Sequence, residues 1–306
     1  MRVAITGANG FLGSHLVDAA LAAGHEVVGV VRRPGEQLPR EGVRWVHGDL
    51  SDPSSLRRAF ARVDAVIANA ALAPGRQAAS DDAFEVANVQ GARHQVAAAA
   101  DADVGRVVYL STVAVYRTRL GRRLHEGSER IDPARRGFDW NQLTTDPRYA
   151  RSKAAAEQAV WQEAATRGVA LTALRPGPIY GERDHKMTAR YVAMVRRWPC
   201  FAPTVRLPHV HARDVADVAV SATGRPATAG RAYNVTGPSV AVATALTHLA
   251  RALGRPRPVP IPLPLSVRFD DTRAQRDLGF APRGVAQGMA EVATFVQGGG
   301  VGAVRR

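Results

Sequence analysis

Arg2-Val3-Ala4-Ile5-Thr6-Gly7-Ala8-Asn9-Gly10-Phe11-Leu12-Gly13 opens the chain. A short apolar run from Arg2 to Thr6 passes directly into three glycines, and a helical pattern follows from Phe11 to Ala23, closed by Gly24. A glycine turn at the carboxyl end of a strand that also opens a helix is a place for a pyrophosphate. Gly7 permits the tight turn, Gly10 lets backbone approach the phosphates, and Gly13 permits close helix-to-strand packing. Free N–H groups and the helix dipole then face the anion.

Further β-branched runs follow at Glu26 to Val31, Val43 to His47, Ala65 to Asn69, Arg106 to Ser111 and Ala170 to Arg175. Ala-rich segments of helical length separate them, at Ser54 to Ala61, Ala83 to Ala100 and Arg148 to Arg167. Strands this apolar suit a sheet covered on both faces, so the fold class is α/β: a Rossmann-like, doubly wound parallel sheet. A dinucleotide domain is expected over 1–175, with contributions from about 205–236. Beyond Pro176 the texture turns proline-rich, and a smaller substrate lobe is expected over 176–204 and 237–296, with a flexible tail at 297–306. The polar stretch 117–146 has the length of a lid or binding segment. Arg255 to Pro264 alternates proline with other residues and is expected to run extended, as a spacer or edge.

Composition narrows the options. With 306 residues and 46% apolar content the chain can bury a large core. Its single cysteine, Cys200, excludes an internal disulfide framework and agrees with the cytoplasm. No apolar run is long enough to span a bilayer and Met1 to Thr6 reads as a strand, so neither a membrane partner nor a signal peptide is expected. The net charge of +14 suits an anionic small molecule. Nucleic acid is not expected, because zinc-ligand spacing, an aromatic RNP strand and a basic heptad helix are all missing.

Where the second strand ends, a dinucleotide fold usually offers an acid to the adenosine ribose. Here the stretch reads Val30-Val31-Arg32-Arg33. Two guanidiniums suit a 2′-phosphate, which favours NADP(H), with NAD(H) as the alternative. Asp146-Pro147 makes a helix start, and Tyr149 and Lys153 share one face of that helix. An ammonium one turn away and the positive helix end are expected to lower the Tyr149 pKa, fitting it as acid or base on a secondary alcohol or ketone. Thr112, at a strand's carboxyl end, is a candidate to bind the substrate oxygen.

Taken together, these residues resemble the extended short-chain dehydrogenases/reductases, also called the NAD-dependent epimerase/dehydratase family. Thr6 to Gly13 is similar to its cofactor signature, Gly48-Asp49-Leu50 to its adenine-contacting strand end, and Asn69-Ala70-Ala71 to its cofactor-flanking turn. Asn88-Val89-Gln90-Gly91 resembles its helix motif, Tyr149 to Lys153 its active-site motif, and Arg175 to Gly181 its nicotinamide-side loop. His211 to Ala216, Tyr233 to Gly237 and Asp271 to Phe280 look like its later landmarks. The resemblance implies catalysis by Thr112, Tyr149 and Lys153. It implies cofactor contacts from Gly7, Gly10, Phe11, Leu12, Gly13, Arg32, Arg33, Asp49, Leu50, Ala70, Ala71, Asn88, Pro176 and Ile179 as well as the catalytic pair, and a homodimer. Arg268 stands near where related epimerases place a phosphate-contacting arginine, so a phosphorylated or nucleotide-linked substrate is one expectation.

The departures matter too. Dehydrating members carry Asp-Glu after the catalytic hydroxyl residue, where this chain has Val113-Ala114, and the cysteine acid/base of the 3,5-epimerases is also absent. An NADPH-dependent ketone reductase is favoured. A nucleotide-sugar 4-epimerase holding NAD is the alternative, and a non-catalytic NADP-sensing protein the lesser one. His209 and His211 lack further evident ligands in the sequence, and no metal is expected.

Overall fold

The computed structural model describes residues 1–37, 39–73, 80–118, 121–134, 145–263 and 265–300. The strands are β1 (Arg2–Thr6), β2 (Glu26–Val31), β3 (Val43–His47), β4 (Ala65–Ala68), β5 (Arg106–Leu110), β6 (Arg123–Leu124), β7 (Ala170–Pro176), β8 (Ile179–Tyr180), β9 (Phe201–Pro203), β10 (Arg206–Pro208), β11 (Val210–His211), β12 (Arg231–Val235), β13 (Ser239–Ala241), β14 (Val259–Ile261) and β15 (Arg268–Phe269). The helices are α1 (Phe11–Ala22), α2 (Pro53–Ala59), α3 (Asp81–Phe84), α4 (Gly91–Asp101), α5 (Pro147–Arg167), α6 (Met187–Arg196), α7 (Ala212–Thr223), α8 (Val242–Ala252), α9 (Thr272–Leu278) and α10 (Val285–Gln297).

A seven-stranded sheet runs in the order β12-β7-β5-β4-β1-β2-β3. Its pairings β1–β2, β2–β3, β1–β4, β4–β5 and β5–β7 are all parallel. The chain winds outward from β1 in both directions, so the strand order reverses between β1 and β4. In an open α/β sheet that reversal leaves a crevice at the carboxyl ends of the strands. The β-branched runs pair because both of their faces are covered. Val28, Val30, Val66 and Val107 meet Leu56 and Phe60 near α2, Val96 on α4 and Val160 on α5 in one buried cluster. Burying one such side chain contributes about 1.5–3 kcal/mol.

Two compact units can be separated, the first comprising 1–118, 126–175 and 216–233, the second 119–125, 176–215 and the chain from Asn234 onward. The second has its own core, with Tyr191 and Val195 of α6, Leu246 and Leu249 of α8 and Met289 and Val292 of α10. The expected extended run at 255–264 forms β14, which pairs in parallel with β9. Two local readings change. The uninterrupted helix expected from Ala83 to Ala100 contains a π-helical turn, Glu85–Gln90, between α3 and α4. The stretch 117–146 is not all loop, since β6 pairs with β15, while the lid reading falls largely on 135–144, outside the described residues. Of the expected tail at 297–306, Gln297 ends α10, 298–300 form a turn, and 301–306 also lie outside the described residues. Among the described residues, no helix is long and apolar enough to cross a membrane.

Candidate active site

Thr6 fixes the glycine turn. Its hydroxyl donates to Gln95 Oε1 (2.6 Å) and accepts from the N–H groups of Asn69 and Ala70 (both 2.9 Å), tying the ends of β1 and β4 together. Gly7 has φ +64°, and a Cβ there would stand 3.2 Å from Ala70 Cα. A Cβ on Gly13 would lie 2.0 Å from the Gly7 carbonyl oxygen, so only glycine lets α1 start this close to the turn. No side chain caps α1 at Gly10. The first-turn N–H groups, including those of Phe11, Leu12 and Gly13, have no intrahelical acceptor and are left for an anion. A dinucleotide pyrophosphate fits this cradle.

At the far edge of that half-sheet, β2 and β3 pair so that Val31 lies opposite His47, and His47 Nδ1 stands 2.9 Å from the Arg32 carbonyl. Arg32 and Asp49 are electrostatic neighbours. Hydrogen bonds from the N–H and Oγ of Ser51 (2.9 and 2.7 Å), aided by Arg32, hold the Asp49 carboxyl below its ordinary range. Arg33 pairs with Glu36 at 2.8 Å in an exposed contact, weak enough for a phosphate to displace. Leu50 packs beneath Gly91, whose missing Cβ would come within 2.9 Å of it. Ala70 is half-buried and Ala71 exposed.

Helix α5 carries the reactive pair. Asp146 caps it by accepting from Arg148 N–H (2.9 Å), Pro147 takes the first turn, and Gly168 closes it at φ +69°. Lys153 is buried and does not point its ammonium at Tyr149. Nζ donates to Tyr109 Oη (2.9 Å) and to the Leu110 carbonyl (2.8 Å) at the end of β5, and lies 4.5 Å from the Tyr109 ring centroid. Burial lowers the Lys153 pKa to about 7 against the opposing charge of Glu157. The expected depression of Tyr149 is therefore not found. Burial of its hydroxyl, with the ammonium turned to β5, pushes its pKa up to about 12. The phenol holds its proton, the form a proton donor needs.

Thr112 accepts from Ala114 N–H (3.2 Å), capping the turn 113–115 against which α5 packs, and keeps its own proton to donate. Ser111, beside it, is spent elsewhere, donating to Glu157 Oε2 at 2.5 Å. Asn88 sits in the π-helical turn and is buried. Its amide donates to Ser152 Oγ (2.9 Å) and its carbonyl accepts from Leu72 N–H (2.7 Å), joining the loop after β4 to α5. Phe84 meets the Tyr149 ring edge-on at 6.4 Å. Pro176, Ile179 and Arg268 belong to the second unit, where Arg268 is exposed on β15.

Sequence reading missed the support beneath Lys153. Glu157, one turn further along α5, is fully buried and bound by Arg175 through Nε (3.0 Å) and Nη2, by Ser111, and by Arg130 (3.2 Å). Burial alone would raise its pKa, but Arg175, Ser111 and Arg130 hold it below the ordinary glutamate range. Arg175 also donates to Tyr116 Oη (2.6 Å) and to the Glu126 carbonyl (3.0 Å). The available signal was a buried β5 tyrosine, Tyr109, whose hydroxyl must find a partner.

In the second unit Glu182, His211 and Glu291 lie close enough for one atom from each to meet within 4.8 Å, which the sequence did not reveal. Arg213 takes Glu182 (2.6 Å) and Arg283 takes Glu291 (2.7 Å), so the carboxylates there are already neutralised by guanidiniums.

A family model described as NAD dependent epimerase/dehydratase family matches residues 3–236. The 2-alkyl-3-oxoalkanoate reductase of Stenotrophomonas maltophilia (strain K279a) is 35% identical over 197 residues, 64% of this chain and 56% of the relative. Sterol demethylase protein B of Methylococcus capsulatus (strain ATCC 33009 / NCIMB 11132 / Bath) is 31% identical over 265 residues, 84% of this chain and 76% of the relative. Among solved structures, MoeE5 in complex with UDP-glucose and NAD is similar with a TM-score of 0.79 and 25% identity, over 97% of this chain and 99% of that one. The chain thus spans little more than half the length of the reductase relative. The glycine cradle, the doubly wound sheet and the Tyr149–Lys153 helix agree with the match, and the chain belongs to the NAD dependent epimerase/dehydratase family.

Proposed function

We propose that the chain is an NAD(P)-dependent oxidoreductase that reduces a ketone to a secondary alcohol, with NADPH as its favoured reductant. The observation that carries this reading is the geometry of the pair on α5: Tyr149 in its first turn, one turn from a buried lysine clamped to the end of β5. The turn at Gly7 to Gly13 would hold the pyrophosphate, Arg32 and Arg33 the 2′-phosphate, and Lys153 the ribose on the nicotinamide side. When bound, the coenzyme supplies the hydride. Tyr149 Oη donates its proton to the carbonyl oxygen as charge develops there, and Thr112 Oγ1 donates a hydrogen bond to the same oxygen. Val113 and Ala114, both buried, offer no group to protonate a departing hydroxyl, so dehydration is not supported.

The reductase relative favours a ketone with an apolar chain. A nucleotide-sugar 4-epimerase is the second reading, favoured by the near full-length similarity to MoeE5 in complex with UDP-glucose and NAD. We retain the homodimer as part of the proposal. The test is a panel of 2-alkyl-3-oxoalkanoates, other ketones and nucleotide sugars, with nicotinamide absorbance and sugar epimers both monitored. Net NADPH consumption with a ketone supports the reductase. Epimers formed on tightly held NAD, without net absorbance change, would establish the second reading, and silence in both assays would leave a binding protein.

A further inference from the structure

Seven large apolar side chains are exposed among the described residues, and five of them belong to one small region of the second unit: Trp198 (64% exposed), Phe201 (53%), Val259 (41%), Ile261 (43%) and Leu263 (43%). Strands β9 and β14 pair in parallel, Phe201 beside Val259 and Pro203 beside Ile261. Alternation along each strand puts Phe201, Val259 and Ile261 on one face, and Leu263 follows two residues past the end of β14. Ala202, between them on β9, is fully buried in the core. A contiguous apolar face of this kind on a folded chain marks a contact with something else.

The sequence around it limits what that can be. Residues 185–213 and 237–269 contain no aspartate or glutamate, yet hold six and four lysines or arginines respectively. Parallel pairing brings the residues ahead of both strands to the same end, so Arg196 and Arg197 come to the end where Arg255 and Arg257 lie, all four exposed. A second copy docking on this face would set arginine against arginine with no carboxylate to pair. A peptide strand cannot extend the ribbon at β14 either. The Val259 N–H is used by the Cys200 carbonyl (2.8 Å), and the alternate positions, which would face outward, are Pro260 and Pro262 and have no N–H. The aliphatic residues have nothing to read on a nucleic acid. An apolar face carrying tryptophan and rimmed by unopposed arginines matches the boundary between acyl chains and phosphate headgroups.

We propose that the β9–β14 ribbon docks the protein on anionic phospholipid bilayers. Trp198, Phe201, Val259, Ile261 and Leu263 enter the headgroup–acyl boundary, and Arg196, Arg197, Arg255 and Arg257 meet the phosphates. The expectation of no membrane partner considered only a spanning segment; this contact is peripheral, and it does not depend on which ketone is reduced.

The experiment is flotation of the full chain with phosphatidylcholine vesicles and with vesicles containing about one-third phosphatidylglycerol, at roughly 0.1 M and 1 M salt. The protein is expected to float with the anionic vesicles at low salt and to stay behind with the zwitterionic ones. Arg255→Ala/Arg257→Ala is expected to weaken partition about 25-fold, at about fivefold per arginine. Ile261→Ser/Leu263→Ser keeps every charge and is expected to lower it by a similar factor or more. Arg44→Ala/Arg57→Ala, in the first unit, is expected to change it less than about twofold. Coenzyme affinity unchanged in every variant confirms that each is folded. Three results would overturn the proposal: no flotation with anionic vesicles, flotation undiminished by Ile261→Ser/Leu263→Ser, or a dimer in solution that those substitutions dissociate.

Discussion

Replacing Glu157 by glutamine tests whether the reactive lysine rests on a buried ion pair. The substitution keeps the shape and removes the charge. Arg175, with only 3% of its side chain exposed, would lose its anionic partner and keep Tyr116 Oη and the Glu126 carbonyl as neutral acceptors. Breaking one side of a buried pair costs about 3–5 kcal/mol. The retained hydrogen bonds place this case near the lower end, so unfolding in urea should show a loss of about 3 kcal/mol. A second effect should appear in pH dependence. Glu157 is the group that opposes the desolvation of Lys153, and without it the Lys153 pKa falls below about 7. A lysine whose pKa is lower folded than unfolded makes the folded state shed its proton first, so stability rises with pH between the two values. In the wild type that rise occupies the range from about 7 up to the ordinary lysine value. In Glu157→Gln it should begin at lower pH, and in Glu157→Gln/Lys153→Met it should vanish. A stability loss under about 1 kcal/mol, or an unchanged onset of the rise, would refute the network.

Other predictions follow from separate parts of the site. Gly13→Ala places a Cβ 2.0 Å from the Gly7 oxygen, so the turn must move by more than an ångström to reach ordinary contact. Calorimetry should show coenzyme affinity reduced by about 100-fold or more, with about 1–3 kcal/mol of stability lost. Gly105→Ala, which meets nothing within 4 Å, should bind coenzyme like the wild type. Arg32→Ala/Arg33→Ala should lower NADP affinity by roughly tenfold or more while leaving NAD affinity within about threefold. Equal losses for both coenzymes would count against the 2′-phosphate reading.

Much of the first unit was legible because its strands are buried on both sides and therefore nearly all apolar, and because glycines and capping residues punctuate it. The ends of β1, β2 and β3 fall at the expected residues. The turn at Gly7 to Gly13 was readable for a stricter reason: the close approach at Gly13 admits no other residue. Lys153 was legible in position and not in direction. Helical spacing puts it on the Tyr149 face, but the choice of the Tyr109 hydroxyl and the Leu110 carbonyl depends on β5, a tertiary fact absent from a one-dimensional pattern. The error in the Tyr149 pKa has the same origin, since desolvation by the surrounding fold outweighs a charge that points elsewhere. The π-helical turn at Glu85–Gln90 left no mark in hydrophobic period, and Glu182 and Glu291 reach His211 from distant parts of the chain.

The most direct measurement is the turnover of Tyr149→Phe on a ketone that the wild type reduces, made alongside its coenzyme affinity. Loss of a general acid alone should reduce kcat/KM by about 10²–10⁴ while the coenzyme Kd stays within about twofold. Turnover within about tenfold of the wild type at unchanged coenzyme affinity would contradict the assignment of Tyr149 as the proton donor.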